Sequence, residues 1–502
     1  MQKDALLARQ PTEDSSGSTM NKKKKTNTNF RIEEDSLGKV KVPKNAYYGV
    51  QTQRAVENFP ISGLKAYPVF IQSYALIKKA AAKVNMELGI LDAKKGKAII
   101  KATNEVINGD FNDQFVVDVY QAGAGTSFNM NTNEVIANRA IEILGGKRGN
   151  YSLVHPNDHV NMAQSTNDTF PTAIRVAGTL HLGPLYQSVE KLIKAFKTKG
   201  KEFAKFVKSG RTHLQDAAPV TLGQEFMAWA DALEDTVTAL KEAENHLREL
   251  GIGGSAVGTG LNTHTKYAPM MVKELSQLTK KDFRLSKNLF KSMQSQFPVA
   301  CVSSALRNMA LEMIRISNDL RLLSSGPTSG IGEMVLPPVQ PGSSIMPGKV
   351  NPVMAECWNM TMFDVWGRDQ TIAGCVQAGQ YELNVMMPMM AYALIHNIEI
   401  ITNMSDAVCK RCIEGITADE KTCREYAMKT VSLATALNPL IGYTKAAEVV
   451  KKAVKTKRPI QDIVLEMGLA TKEEVKEFLD PMHMTTPGIA KRGKGKTNKK
   501  KK

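Results

Sequence analysis

The residues best equipped for chemistry lie in one stretch, Pro341-Gly342-Ser343-Ser344-Ile345-Met346-Pro347-Gly348-Lys349-Val350-Asn351-Pro352. Three prolines and two glycines forbid a regular element, so the stretch reads as a shaped loop ahead of a helix that starts near Val353. Its polar groups are two serine hydroxyls, the Lys349 ammonium and the Asn351 amide. Successive backbone N–H groups in such a loop, with the positive end of a helix beyond, can hold an oxyanion, and Lys349 adds a full positive charge. A phosphate-cradling P-loop is the rival reading. It fails at both ends, because Ser343 stands where the first glycine belongs and Val350 where a Ser or Thr must ligate magnesium.

Three further segments share this character. Gly123-Ala124-Gly125-Thr126-Ser127 is small and hydroxylated and is followed by Asn129, Asn131 and Asn133; Gln164-Ser165-Thr166-Asn167-Asp168 precedes a long helical pattern. Arg211-Thr212-His213-Leu214-Gln215-Asp216 precedes a second such pattern. Taken singly, Ser165 to Asp168 read as helix N-caps and His213 as a satisfied surface or core histidine. Together the segments offer neutral hydrogen-bond donors, one histidine and one lysine, with neither a catalytic carboxylate pair nor a metal-ligand cluster. That donor set suits a small dianion such as a dicarboxylate. Gly251 to Gly260 lacks both the preceding strand and the spacing of a dinucleotide site, so it reads as a tight bend between helices.

The elements that must position these segments are long helices. Leu185, Val189, Leu192, Phe196, Phe203 and Phe206 recur at helical steps from about Pro171 onward, and Leu222 through Leu250 form a nearly unbroken heptad stripe. Such stripes need helices of equal length beside them, so a bundle is expected, with self-association covering the remaining face. Further helices are expected at 298–324, 353–380, 434–454 and 471–479. The predicted domains are a mixed one at 30–163, a central bundle at 164–420 and a small helical one at 421–490.

A chain of 502 residues, 42% hydrophobic and 23% charged, has room for such cores. Its +17 net charge is concentrated at the ends: 491–502 contribute eight basic residues and no acid, and 1–29 add +3, leaving about +6 between them. Both ends read as disordered tails that could make weak polyanion contacts. No apolar run is long enough to span a bilayer, and no signal-peptide core stands near the N-terminus, so a cytoplasmic protein is expected. The six cysteines read as free thiols, and Cys409-x-x-Cys412 as two ordinary helix residues because no second pair completes a zinc site.

Gly342 to Asn351 resembles the signature loop of the aspartase/fumarase superfamily, and the other three segments resemble its substrate-binding motifs in the right order. The likeness spans roughly 30–490. Ala122 to Ser127, Gln164 to Asp168 and Ala378-Gly379-Gln380-Tyr381-Glu382-Leu383-Asn384-Val385 are similar to the aspartase side, whereas His155-Pro156-Asn157-Asp158 resembles a secondary anion site of fumarases. The resemblance implies a mainly α, three-domain fold whose central long-helix bundle is shared across a homotetramer. It implies elimination of ammonia from L-aspartate to give fumarate, with fumarate hydration as the alternative. Ser343 would be the base, with His213 and Lys349 beside it in the catalytic set. Thr126, Ser165, Thr166 and Ser344 would hold the β-carboxylate, Thr212, His213, Lys349 and Asn351 the α-carboxylate, and Asn167 the amino group. Glu356 would tune Lys349 or His213. No cofactor or metal is required on this reading, with activation by a divalent cation left open.

Overall fold

The computed structural model describes residues 29–488. The expected basic tails lie outside the described residues. An antiparallel hairpin, β1 (Phe30–Asp35) and β2 (Gly38–Pro43), leads into α1 (Val50–Asn58), α2 (Pro68–Glu87), α3 (Ala93–Ile107) and α4 (Thr126–Ile143). Then α5 (Thr166–Glu202) and α6 (Leu222–Glu244) flank a second hairpin, β3 (Val207–Thr212) and β4 (Gln215–Thr221). The short β5 (Glu249–Leu250), α7 (Tyr267–Thr279), β6 (Arg284–Leu285) and α8 (Leu289–Gln294) precede the long α9 (Phe297–Leu323). After β7 (Met334–Val335) come α10 (Val353–Gln377) and α11 (Met387–Arg411). The chain ends with β8 (Thr417–Ala418), α12 (Glu420–Lys429), α13 (Asn438–Ile441), α14 (Tyr443–Thr456), α15 (Ile460–Glu466) and α16 (Lys472–Phe478).

The molecule is thus mostly helical, and five long helices form its frame: α5 lies against α6 and α11, α10 against α9 and α11, and α6 against α9. Local sequence explains the starts. Ser165 caps α5, and Thr221 caps α6 through a reciprocal pair in which Gln224 N–H donates to Thr221 Oγ1 (3.1 Å) and Thr221 N–H to Gln224 Oε1 (2.9 Å). Leu222, Phe226, Ala230, Leu233 and Leu240 of α6 are fully buried, each large side chain contributing about 1.5–3 kcal/mol. Among the described residues no helix is long and apolar enough to cross a membrane.

Three helix boundaries differ from the expectation. The 37-residue α5 starts at Thr166, before Pro171, and carries both Pro171 and Pro184 because packing on both sides outweighs the two lost N–H donors. The stripe expected to continue to Leu250 leaves the helix at Glu244: Leu247 lies in a 3-10 turn and Leu250 in β5, both still fully buried. There the chain turns toward the glycine-rich bend, and Glu244 fastens the turn by accepting from Tyr186 Oη (2.9 Å) and pairing with Arg248 (3.0 Å). The stretch expected as one helix over 434–454 is a 3-10 segment, Val431–Leu437, followed by α13 and α14 with a break at Gly442. These last elements close a separate small core around Leu433, Leu437, Val449, Ile463, Val464 and Phe478. Cys409 and Cys412, at the end of α11, are buried free thiols.

Where α5 and α6 are closest, backbone meets backbone: a Cβ on Gly223 would overlap Gly200 O and the Ala204 main chain. Gly223→Ala should therefore lower stability by about 1–3 kcal/mol, read as a fall in the thermal midpoint. Gly183→Ala, in α5 where an added Cβ meets nothing within 4 Å, should leave the midpoint unchanged or raised.

Candidate active site

Two of the four segments open helices that begin side by side. Ala124 N–H donates to Val385 O (2.8 Å), which pins the turn before α4 to the segment leading into α11. Gly125, at φ +87°, has the Phe170 ring of α5 against it, and any Cβ there would overlap that ring. Thr126 is exposed at the first position of α4, with Ser127 buried behind it. At the neighbouring helix start, Ser165 N–H donates to Asp168 Oδ1 (2.9 Å) and Ser165 Oγ accepts from Asn167 N–H (3.2 Å). Thr166 is buried, and Asn167 Nδ2 donates to Ala256 O (2.8 Å). Two helix N-termini bearing hydroxyls present N–H groups and positive dipole ends, the arrangement that binds a carboxylate.

Asp168 holds this corner together. Its fully buried carboxylate also accepts from Gly253 N–H (2.9 Å) and Ser255 N–H (3.1 Å). Burial pushes its pKa up to about 6, against the pull of those backbone donors. The glycine-rich segment is thus a bend, as expected, and also the bracket that seats the start of α5. Deeper still, the buried Lys78 ammonium of α2 donates to Asn129 Oδ1 (2.8 Å), Asn161 Oδ1 (2.8 Å) and Gln164 Oε1 (3.0 Å), joining α4 to the segment before α5.

The His213 segment is the tip of the β3–β4 hairpin, which the helical reading of the surrounding chain did not anticipate. His213 (φ +55°) and Leu214 (φ +60°) form its two-residue turn, which needs positive φ at both positions to match the strand twist. Neither residue is glycine, so the turn costs roughly 1–2 kcal/mol per residue. Strain of this kind is common where side chains must be displayed, and Thr212, His213 and Leu214 are all exposed. Below the tip, Arg211 forks onto buried Glu333 (2.9 and 3.0 Å), and Lys208, itself buried, reaches both Glu333 (3.0 Å) and Glu225 (2.6 Å).

The Ser343 loop is exposed along most of its length. Ser343 Oγ accepts from Ile345 N–H (3.2 Å) and Met346 N–H (3.0 Å). Asn351 Nδ2 donates to Gly342 O (2.7 Å) and so ties the two ends of the loop together. Ser344 and Lys349 are exposed, and Glu356 sits half-buried in the first turn of α10 without an ion pair to Lys349 or His213. Among the described residues, no hydrogen bond or ion pair links this loop or the His213 turn to Thr126, Ser165 or Thr166. One chain joins the two helix starts and displays the hairpin and the loop separately.

A family described as "Lyase" matches residues 38–367, and one described as "Fumarase C C-terminus" matches 433–486. The chain belongs to the aspartase/fumarase superfamily of lyases. It is 47% identical to an aspartate ammonia-lyase of Bacillus sp over 466 residues, which are 93% of this chain and 100% of the relative. It is 46% identical to a class II fumarate hydratase of Thermus thermophilus over 462 residues, 91% of this chain and 99% of the relative. Among solved structures, a fumarate lyase:delta crystallin of Brucella melitensis is similar at a TM-score of 0.89 and 44% identity, over 91% of this chain and 100% of that one.

Three contributors escaped the sequence reading. Lys78 left a faint trace, since it shares the buried face of α2 with Tyr74, Ala81 and Asn85 at helical spacing. Asp168 read as a simple cap, and Glu333 left no trace, because its partners Lys208 and Arg211 are more than a hundred residues away along the chain. Glu333→Gln would leave Lys208 and Arg211 without the charge that both share. We expect a loss of about 3–5 kcal/mol, measured as a lowered midpoint of thermal or denaturant unfolding.

Proposed function

We propose that the chain is an aspartate ammonia-lyase that eliminates ammonia from L-aspartate to give fumarate, reversibly and through an enediolate. Removing a proton beside an ionised carboxylate gathers two negative charges at one end of the substrate, so stabilising that end is the main task. Support comes from the adjoining starts of α4 and α5, where Thr126, Ser165 and Thr166 offer hydroxyls and helix N–H groups to one carboxylate. Ser344 would join them from the loop.

The base in this reading is Ser343. An alkoxide is inaccessible in water, but the Ile345 and Met346 N–H groups already donate to its Oγ and would stabilise the negative charge. Ser343 takes the Cβ proton, and the electron pair moves into the β-carboxylate. It then returns to form the double bond as the C–N bond breaks, and the proton ends on the departing ammonia. Thr212, His213 and Lys349 would hold the α-carboxylate, with Asn351 bracing the loop. Asn167, whose Nδ2 is committed to Ala256 O, has its Oδ1 for the amino group. The reaction so written uses no organic cofactor.

Hydration of fumarate is the second reading, favoured by the Thermus relatives named as fumarate hydratases at 46% and 45% identity. Aspartate is preferred because the Gly123 to Ser127, Gln164 to Asp168 and Ala378 to Val385 segments resemble the aspartase side, and several relatives at 45–47% identity carry that name. The test is absorbance in the fumarate band with L-aspartate and L-malate supplied separately. A rise with aspartate is expected, and a rise with malate alone overturns the choice. Ser343→Ala should abolish turnover with little change in thermal midpoint. More than a few per cent of residual activity would exclude Ser343 as the base.

The separation of the segments within one chain, together with exposed Met360 (64%), Phe363 (50%) and Trp366 (46%) along α10, supports a homotetramer whose sites draw on several chains. Inactive His213→Ala and Ser343→Ala chains, unfolded together and refolded one to one, should then recover about a quarter of wild-type activity. Persistent inactivity of mixed tetramers verified by mass would place both residues of a site on one chain.

A further inference from the structure

The lyase reading leaves unexplained the buried cation beneath the two helix starts. The Lys78 side chain is fully buried, and all three of its hydrogen-bond acceptors are neutral amides, those of Asn129, Asn161 and Gln164. Among the described residues it makes no ion pair. Asp168 is the negative charge it feels, and that carboxylate already accepts from the N–H groups of Ser165, Gly253 and Ser255. Burial draws the Lys78 pKa down to about 7. A sequestered ammonium with neutral ligands is costly, although methionine in its place would leave Asn129 Oδ1 and Gln164 Oε1 without their donor. The fold thus accounts for a hydrogen-bond donor here, but gives no reason for a full positive charge.

The three amides supply one. Asn129 lies one turn into α4 from Thr126, and Gln164 directly precedes Ser165. The amides are also cross-linked, since Asn129 Nδ2 and Asn133 Nδ2 each donate to Asn161 Oδ1 (3.3 Å), and Asn161 Nδ2 donates to Gln164 O (3.2 Å). The Lys78 ammonium is the hub of a polar network whose two arms end at the hydroxyl-bearing starts of α4 and α5. We propose that Lys78 is a positioning residue for the lyase reaction: it fixes Asn129, Asn161 and Gln164 so that both helix starts face one carboxylate, and its buried positive charge balances the second negative charge on that carboxylate in the enediolate. This rests on the reading above that these helix starts bind the carboxylate that becomes the enediolate. It adds that the counter-charge for the intermediate lies behind the hydroxyls, in a low-dielectric interior where its field is little screened and needs no reorganisation.

The test uses the full-length protein and whichever of L-aspartate or L-malate the wild type turns over, because proton removal from either creates an enediolate at the same end of the substrate. Lys78→Met, Lys78→Gln and Lys78→Arg are compared by kcat, by KM and by inhibition with two probes. Succinate carries its carboxylates on tetrahedral carbons, whereas the nitronate form of 3-nitropropionate has, like the enediolate, a planar carbon doubly bonded to a group with two formally negative oxygens. In Lys78→Met we expect kcat to fall by about 100-fold or more, with KM and succinate affinity within about threefold of wild type. Nitronate affinity should fall in parallel with kcat, and Lys78→Arg should restore part of it.

Three results would overturn the proposal: kcat within about threefold of wild type in folded Lys78→Met, equal losses of succinate and nitronate affinity, or failure of both Lys78→Met and Lys78→Gln to fold. The second would mean a general binding defect and the third a purely structural lysine. A wild-type protein inactive on both substrates would overturn the lyase reading and this one with it. With an active wild type, the variants judge Lys78 alone.

Discussion

The Asp168 carboxylate is the interaction on which the arrangement depends. It is fully buried, and it gathers N–H groups from the start of its own helix and from Gly253 and Ser255 in a bend more than eighty residues on. A buried carboxylate left without donors would be severely destabilising, so these bonds are effectively compulsory. They set where α5 begins. They also determine where the chain leaving α6 must arrive, which is why the helix stops at Glu244 while its apolar stripe continues through Leu247 and Leu250.

With that corner fixed, the remaining groups fall into two classes. Thr126, Ser165 and Thr166 stand on helix starts backed by packed side chains: Phe170 lies against Gly125, and the rings of Phe70, Tyr74 and Phe128 cluster with it. His213 and Ser343 stand on exposed protrusions, each stiffened internally. The hairpin carries the Lys208, Arg211 and Glu333 charges beneath its tip, and the loop is closed by the Asn351 amide on Gly342 O. Glu333 lies ten residues before Ser343, so the same buried carboxylate anchors the hairpin and the root of the loop. On the proposed function, one carboxylate is held by the helix starts that packing fixes, and proton transfer and capture of the second carboxylate fall to groups that one chain presents outward.

Much of this was legible in the sequence. The 298–324 and 353–380 periodicities gave α9 and α10 to within a few residues, because an apolar stripe at helical spacing has one way to be buried. Proline and glycine placement marked the Ser343 loop, and Ser165 to Asp168 marked a helix start through local hydrogen bonds that need no distant partner. The His213 hairpin was not legible. A two-residue turn of histidine and leucine carries no glycine or asparagine signal, and the Arg211 and Lys208 contacts that hold the hairpin from below lie far along the chain.

The sequence by itself determined which residue types could bind a dicarboxylate, that they sit at helix starts and in constrained loops, and that long helices carry them. Each of those features follows from interactions between near neighbours in the chain. The tertiary structure alone decided which segments meet: Thr126 with Ser165 through Lys78 and Phe170, Asn167 with Ala256, and Arg211 with Glu333. Those pairings depend on satisfying buried charges and amides across long separations. Desolvation makes an unpaired partner costly wherever it lies in the chain, but it leaves no periodicity in the sequence from which the partner could be read.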